Sequence, residues 1–100
     1  MATEIREVNG MLKIIGSINS TNSQDLKKYL ESSLLTGKGL LLSIENVMNL
    51  DASGAFMLEG LYKKAGLENL VISIFGQENS YISEIMNTTN TRYILSNDRV

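Results

Sequence analysis

Leu40-Leu41-Leu42-Ser43-Ile44-Glu45-Asn46-Val47-Met48-Asn49-Leu50-Asp51-Ala52-Ser53-Gly54 is the stretch on which the fold turns. It opens with a nearly continuous apolar run, Leu40 to Ile44, of the kind carried by central parallel strands buried on both faces. Glu45 to Leu50 leads out of the run. Asp51-Ala52-Ser53-Gly54 then supplies the small and polar residues of a turn, and a helical pattern follows at once. Met57, Leu58, Leu61, Tyr62 and Ala65 recur at three- and four-residue spacing and form one apolar stripe, which Gly66 is expected to stop. A buried strand that feeds directly into an amphipathic helix is half of a parallel β-α-β unit.

The segments on either side extend this pattern. On the N-terminal side, Ile5 to Val8 is a short candidate strand and Asn9-Gly10 a hairpin turn. Met11 to Ile18 is the returning strand, with Leu12, Ile14 and Ile18 on one face and a candidate bulge at Gly16. Thr21-Asn22-Ser23-Gln24 fits a capping box, in which the Thr hydroxyl caps an amide and the Gln returns the bond. A helix follows with Leu26, Tyr29, Leu30 and Leu34 as its stripe, and Gly37 and Gly39 end it.

On the C-terminal side, Leu70 to Phe75 reads as another buried strand closed by Gly76. Asn79 to Met86 reads as a third helix, with Ile82, Ile85 and Met86 inward, and Tyr93-Ile94-Leu95 as a short last strand. The sequence therefore predicts a single α/β domain over residues 1–100. Its sheet is mixed, with four or five strands, and about three helices lie near 22–35, 54–65 and 79–87.

Composition narrows the chemistry. The 100 residues include no His and no Cys. That removes the commonest neutral-pH general base, thiolate nucleophiles, disulfides and the usual zinc ligands. Glu45, Glu59 and Glu78 are not brought together by any spacing, and Glu59 with Lys63 reads as an exposed i,i+4 pair. Gly37-Lys38-Gly39 lacks the spacing of a phosphate-binding loop. No catalytic residue, metal site or cofactor is expected, and the chain does not read as an enzyme.

Nine basic residues against eleven acidic ones give a net charge of −2. The basic residues are scattered, with Lys27/Lys28 and Lys63/Lys64 the tightest pairs, so nucleic acid is not an expected partner. Nothing resembles a signal peptide or a bilayer-spanning stretch, so a cytoplasmic protein without membrane insertion is expected.

The segment from Leu40 to Tyr62 resembles the signature of STAS domains, the fold of bacterial anti-sigma-factor antagonists. In that family an apolar strand ends in an acidic residue, a small residue, then Ser or Thr and Gly, and a helix follows. Asp51, Ala52, Ser53 and Gly54 stand at those positions. Gly16-Ser17-Ile18 looks like the family's glycine before the first helix, and Leu70 to Gly76 like its fourth strand. The resemblance implies a protein-binding switch in which the position matching Ser53 is phosphorylated by a serine kinase that is also the anti-sigma factor. A PP2C-type phosphatase resets the switch.

The same residues also have a plain structural reading. Asp and Ser are favoured helix N-caps, so Asp51 or Ser53 would cap the second helix, and Gly54 would allow close packing.

Phe56 departs from the family pattern, which usually has a small residue there, often Gly. On a helical wheel it lies opposite the apolar stripe, three residues from Ser53, and shares a face with Glu59, Gly60 and Lys63. It reads either as a stray surface aromatic or as a partner-facing anchor beside the switch residue. A bulky ring there would obstruct docking of the usual kinase. Ala52 replaces the Ser of many members. Ser96 to Val100 is too short and polar for the C-terminal helix that many members carry, and a less covered sheet would favour a homo-oligomer.

The resemblance leaves two other functions open. One is a constitutive STAS subunit of a membrane transport complex. The other is a small-ligand or nucleotide sensor, with the start of the second helix as its anion site.

Overall fold

In the computed structural model, which describes residues 3–34 and 39–96, four strands form one mixed sheet in the order β1-β2-β3-β4. The strands are β1 (Glu4–Val8), β2 (Met11–Ile18), β3 (Leu40–Leu50) and β4 (Ile72–Phe75). Three helices alternate with them: α1 (Ser23–Leu34), α2 (Ala52–Leu67) and α3 (Ser80–Thr88). A single 3₁₀ turn, Arg92–Ile94, follows.

β1 and β2 pair antiparallel, with Val8 opposite Met11. The two residues between them, Asn9 and Gly10, have φ of 52° and 83°. These left-handed values give the turn the twist that a two-residue hairpin requires. β2–β3 and β3–β4 are parallel, so two crossovers put β3 in the interior of the sheet. The register between β2 and β3 shifts on both sides of the Ile15–Gly16 segment, and Gly16 has φ of 105°. The expected irregularity at Gly16 is therefore a bulge that a residue with a Cβ would strain.

The core lies between the sheet and the helices. Ile14, Ile18, Leu30, Leu42, Ile44, Leu58, Leu61, Ile74, Ile82 and Met86 are all fully buried in it. β3 is not buried on both faces throughout, because Leu41 is exposed while Leu40, Leu42 and Ile44 are buried. Strand β3 also runs on to Leu50, beyond the apolar run, because β2 remains beside it through the pair Ile18–Leu50.

Other sequence expectations are corrected by the structure. Tyr29 is 49% exposed and not part of the α1 core stripe, which is Leu26, Leu30 and Leu34. The capping box does not form. The Thr21 hydroxyl donates to Asn19 Oδ1 at 2.5 Å, and the Asn22 amide turns back to the Ser17 carbonyl at 3.0 Å. Gly66 does not stop α2, which continues to Leu67. The chain turns at Asn69, in the left-handed region at φ 58°, where Leu70 N donates to the Ala65 carbonyl at 2.8 Å. β4 is a short edge strand with Val71 exposed before it.

Tyr93-Ile94-Leu95 is not a strand. The 3₁₀ turn occupies most of it, and Leu95 makes a lone bridge to Ile74. Tyr93 is held instead by α2. Its ring meets Tyr62 edge-on at 6.0 Å, and its hydroxyl donates to Glu59 Oε2 at 2.5 Å. That hydrogen bond pushes the phenol up to about 12. The expected helix stop at Gly37, the Gly37-Lys38 segment and residues 97–100 lie outside the described residues.

One residue that the sequence did not single out completes the sheet. β4 leaves β3 after the pair Ser43–Phe75, so the later carbonyls of β3 have no strand on that side. Asn79 takes the missing strand's place. Its Nδ2 donates to the Ile44 carbonyl at 2.8 Å and to the Val47 carbonyl at 2.7 Å. Its Oδ1 accepts from Tyr81 N at 2.8 Å and caps α3. Asn79 is only 5% exposed, and truncating it would strand both carbonyls away from water. Asn79→Ala should cost about 3 kcal/mol in a urea or guanidinium unfolding titration. A loss below about 1 kcal/mol would contradict this account.

Candidate functional site

The site forms where β2 and β3 end side by side. Ile18 and Leu50 are the last residues of the two strands and are paired, and Asp51 N donates to the Ile18 carbonyl at 3.2 Å. Asp51 is the N-cap of α2, in extended conformation. Its Oδ1 accepts from Gly54 N at 3.0 Å, and its Oδ2 accepts from Ser20 N, in the β2–α1 loop, at 3.1 Å. One carboxylate therefore caps the helix and ties the β2–α1 loop to the helix start. The plain structural reading of Asp51 is correct, and it also settles which residue is the cap.

Gly54 sits in the first turn of α2 directly on the strand ends. A Cβ there would fall 2.7 Å from Ile18 Cγ2, 2.8 Å from Leu50 Cδ1 and 2.9 Å from the Ile18 carbonyl oxygen. Backbone cannot withdraw as a flexible side chain can, so only glycine lets α2 sit this close. Ala55 beside it is fully buried. Cap and close contact together fix how far the first turn projects and which way it faces.

The outward positions of that turn are Ala52 and Ser53, both exposed. With Asp51 as the cap, the Ser53 hydroxyl is left without a hydrogen bond among the described residues. Phe56, one turn further on, is 52% exposed, as its place on the helical wheel predicts. The expected Glu59–Lys63 pair is present at 3.7 Å, although Glu59 is mostly covered and also receives the Tyr93 hydroxyl.

Ser53, Phe56 and Met57 form one wall of an open groove of about 460 Å³. The opposite wall comes from the β2–α1 loop and α1: Ser20, Ser23, Gln24 and Lys27. Asp51, Ala52 and Gly54 are not in its lining; they position the residues that are.

Sequence reasoning missed the α1 wall. Ser23 and Lys27 are four apart and so share a face of α1. That spacing was visible in the sequence, but the partner of the face was not. Among the described residues, the groove is lined by hydroxyls, an amide, an ammonium and apolar side chains. Among the described residues there is no group of three or more Asp or Glu that could hold a metal. No helix in them is long and apolar enough to cross a membrane.

Comparison with known proteins agrees with the fold. A search of curated proteins by sequence finds no match. Among solved structures, the chain is similar to an anti-sigma factor antagonist from Mycobacterium paratuberculosis. The TM-score is 0.74 at 15% identity, covering 94% of this chain and 81% of that one. It is also similar to the anti-sigma factor antagonist SpoIIAA in its unphosphorylated form. There the TM-score is 0.70 at 10% identity, covering 98% of this chain and 89% of that one. At such identities these likenesses concern the fold. The STAS domain family model matches residues 1–96, nearly the whole chain, and with it the strand-to-helix junction on which the site is built. The chain therefore belongs to the STAS domain family.

Proposed function

We propose that this domain is a partner-switching module of the anti-sigma-factor-antagonist type, with Ser53 as its phosphoacceptor and no chemistry of its own. The observation that carries the reading is the division of labour at the start of α2. Asp51 supplies the cap, so the Ser53 hydroxyl is exposed, free of internal bonds and adjacent to exposed Phe56. A serine needed for capping would be a poor switch, since modifying it would damage the helix. A spare hydroxyl at a helix N-terminus can take a phosphate, because the free amides and the helix dipole there favour an anion.

In this reading a partner serine kinase, which is also the anti-sigma factor, binds the groove and Phe56. It transfers the terminal phosphoryl group of ATP to Ser53 Oγ; the new P–O bond replaces the one to the leaving ADP, and the hydroxyl proton passes to the kinase. The phosphate brings about −1.5 to −2 charges into the interface and releases the partner. A PP2C-type phosphatase restores the hydroxyl by hydrolysis. Gly54 sits against Ile18 and Leu50, a close contact that would hold the first turn in place in both states.

Three outcomes are expected. Asp51→Ala should lose about 1–2 kcal/mol of stability through the cap. Ser53→Ala should stay within about 0.5 kcal/mol of the parent, with both read by chemical denaturation. Phe56→Ala should likewise stay within about 0.5 kcal/mol yet weaken capture of the partner by about tenfold or more. The switch itself is tested by mass spectrometry of the protein from its native cell, paired with affinities for the captured partner. Ser53 should carry phosphate in a fraction of molecules, Ser53→Ala should bind constitutively and Ser53→Asp should bind weakly. If Ser53 is never modified and Ser53→Asp binds as well as the parent, the switch reading fails. A constitutive subunit of a transport complex then becomes the better reading.

A further inference from the structure

The function proposed above uses the groove only as a surface for a partner, but the chemistry of its α1 wall is more specific than that. Ser23 is 5% exposed, yet its hydroxyl makes no hydrogen bond among the described residues, and the side chain lines the groove. No side-chain oxygen among the described residues is both buried and unpartnered, so the Ser23 hydroxyl opens onto the groove although the rest of the residue is covered. Lys27 lies one turn further along α1 on the same wall, half-buried, and forms no ion pair among the described residues. Across from them, the Asp51 carboxylate takes Gly54 N and leaves the Ala52 and Ser53 amides unpaired. Two unengaged hydroxyls and one unpaired ammonium thus line one opening, beside the free first-turn amides of α2.

The other charges around the groove are accounted for. Glu31 pairs with Lys64 at 3.4 Å, and Glu59 with Lys63 at 3.7 Å. Asp51 is bonded by two amides and is not in the lining. Asp25 and Lys28, the remaining charges of α1, are exposed and not in the lining either. Among the described residues, Lys27 is the one charged side chain that lines the groove. The lining is therefore cationic although the chain as a whole carries −2.

We propose that this groove is an internal receptor for the phosphoryl group of modified Ser53, with Lys27 as its counter-charge and the Ser23 hydroxyl as a hydrogen-bond donor. The inference rests on the reading of Ser53 as phosphoacceptor and adds how the phosphate acts. The phosphate folds into the groove and occupies part of the surface that a partner would use. Charge repulsion between the phosphate and the partner is then not the only means of release. Lys27 is a positioning residue here; it holds the phosphate and takes no part in its transfer.

The test installs phosphoserine at position 53 during translation, so no kinase is needed. The second ionisation of that phosphate is followed by ³¹P NMR titration in the parent, Lys27→Gln, Lys28→Gln and Ser23→Ala. A phosphoserine ordinarily ionises near about 6, and a neighbouring cation lowers that value. The parent should ionise lower, Lys27→Gln should raise the value by about half a unit, and Lys28→Gln should leave it unmoved. Ser23→Ala should also raise it, by less.

Equal values in the Lys27 and Lys28 variants would overturn the proposal, because a phosphate extended into solvent would treat the two alike. An amide fingerprint spectrum of each unmodified variant establishes that the fold is kept. Since the phosphate is supplied directly, this result stands apart from whether cells phosphorylate Ser53. Absence of Ser53 phosphate in cells would sink the switch while the titration still reported on the groove.

Discussion

The approach of α2 to the ends of β2 and β3 at Gly54 is the constraint on which the rest of the arrangement depends. The helix starts within van der Waals reach of the Ile18 carbonyl and the Ile18 and Leu50 side chains, and a single methyl group would force it away. Asp51 makes the same junction polar and directional, bonding both to the helix it caps and to the loop before α1. α1 and α2 are further joined by the Lys64–Glu31 ion pair, on the part of the helices away from the loop. The groove between them is therefore a product of backbone contact and capping, in which the lining residue Ser20 takes part through its amide.

β3 plays a corresponding part at the centre of the sheet. It is long because β2 accompanies it to the end, but β4 is short, and a parallel strand with only one neighbour would leave carbonyls buried and unpaired. The Asn79 side chain substitutes for the absent strand and at the same time starts α3. A side-chain amide can do this because it presents two donors and an acceptor in one plane, as a peptide group does with one of each. Asn also provides left-handed turns at positions 9, 69 and 90, the last two just beyond α2 and α3. In a chain without proline, these asparagines carry much of the punctuation.

Much of this was legible because it is local. The run Leu40 to Ile44, the stripe from Met57 to Ala65 and the turn at Asn9-Gly10 each state their conformation within a few residues. The exposure of Phe56 follows from the same helical periodicity. Features set by distant contacts were not legible. Tyr29 falls on the α1 stripe but is half exposed, and Asn22, inside the expected capping box, reaches back to the Ser17 carbonyl and the Thr3 hydroxyl. Tyr93 has strand propensity but is held by Glu59 and Tyr62. The candidate site divides in the same way. Asp51, Ser53, Gly54 and Phe56 were visible as a motif. Ser23 and Lys27 gained meaning only when α1 was laid beside α2.

A groove held open by its backbone has a kinetic consequence. A surface already in its binding shape spares an incoming protein the cost and delay of ordering loops. Encounter then proceeds at a rate set by diffusion and orientation, and differences in affinity fall mainly on the lifetime of the complex. In the proposed switch, such a surface makes residence time the adjustable quantity. A covalent change at one exposed position would then act as a clock on an existing complex more than as a gate on the formation of a new one.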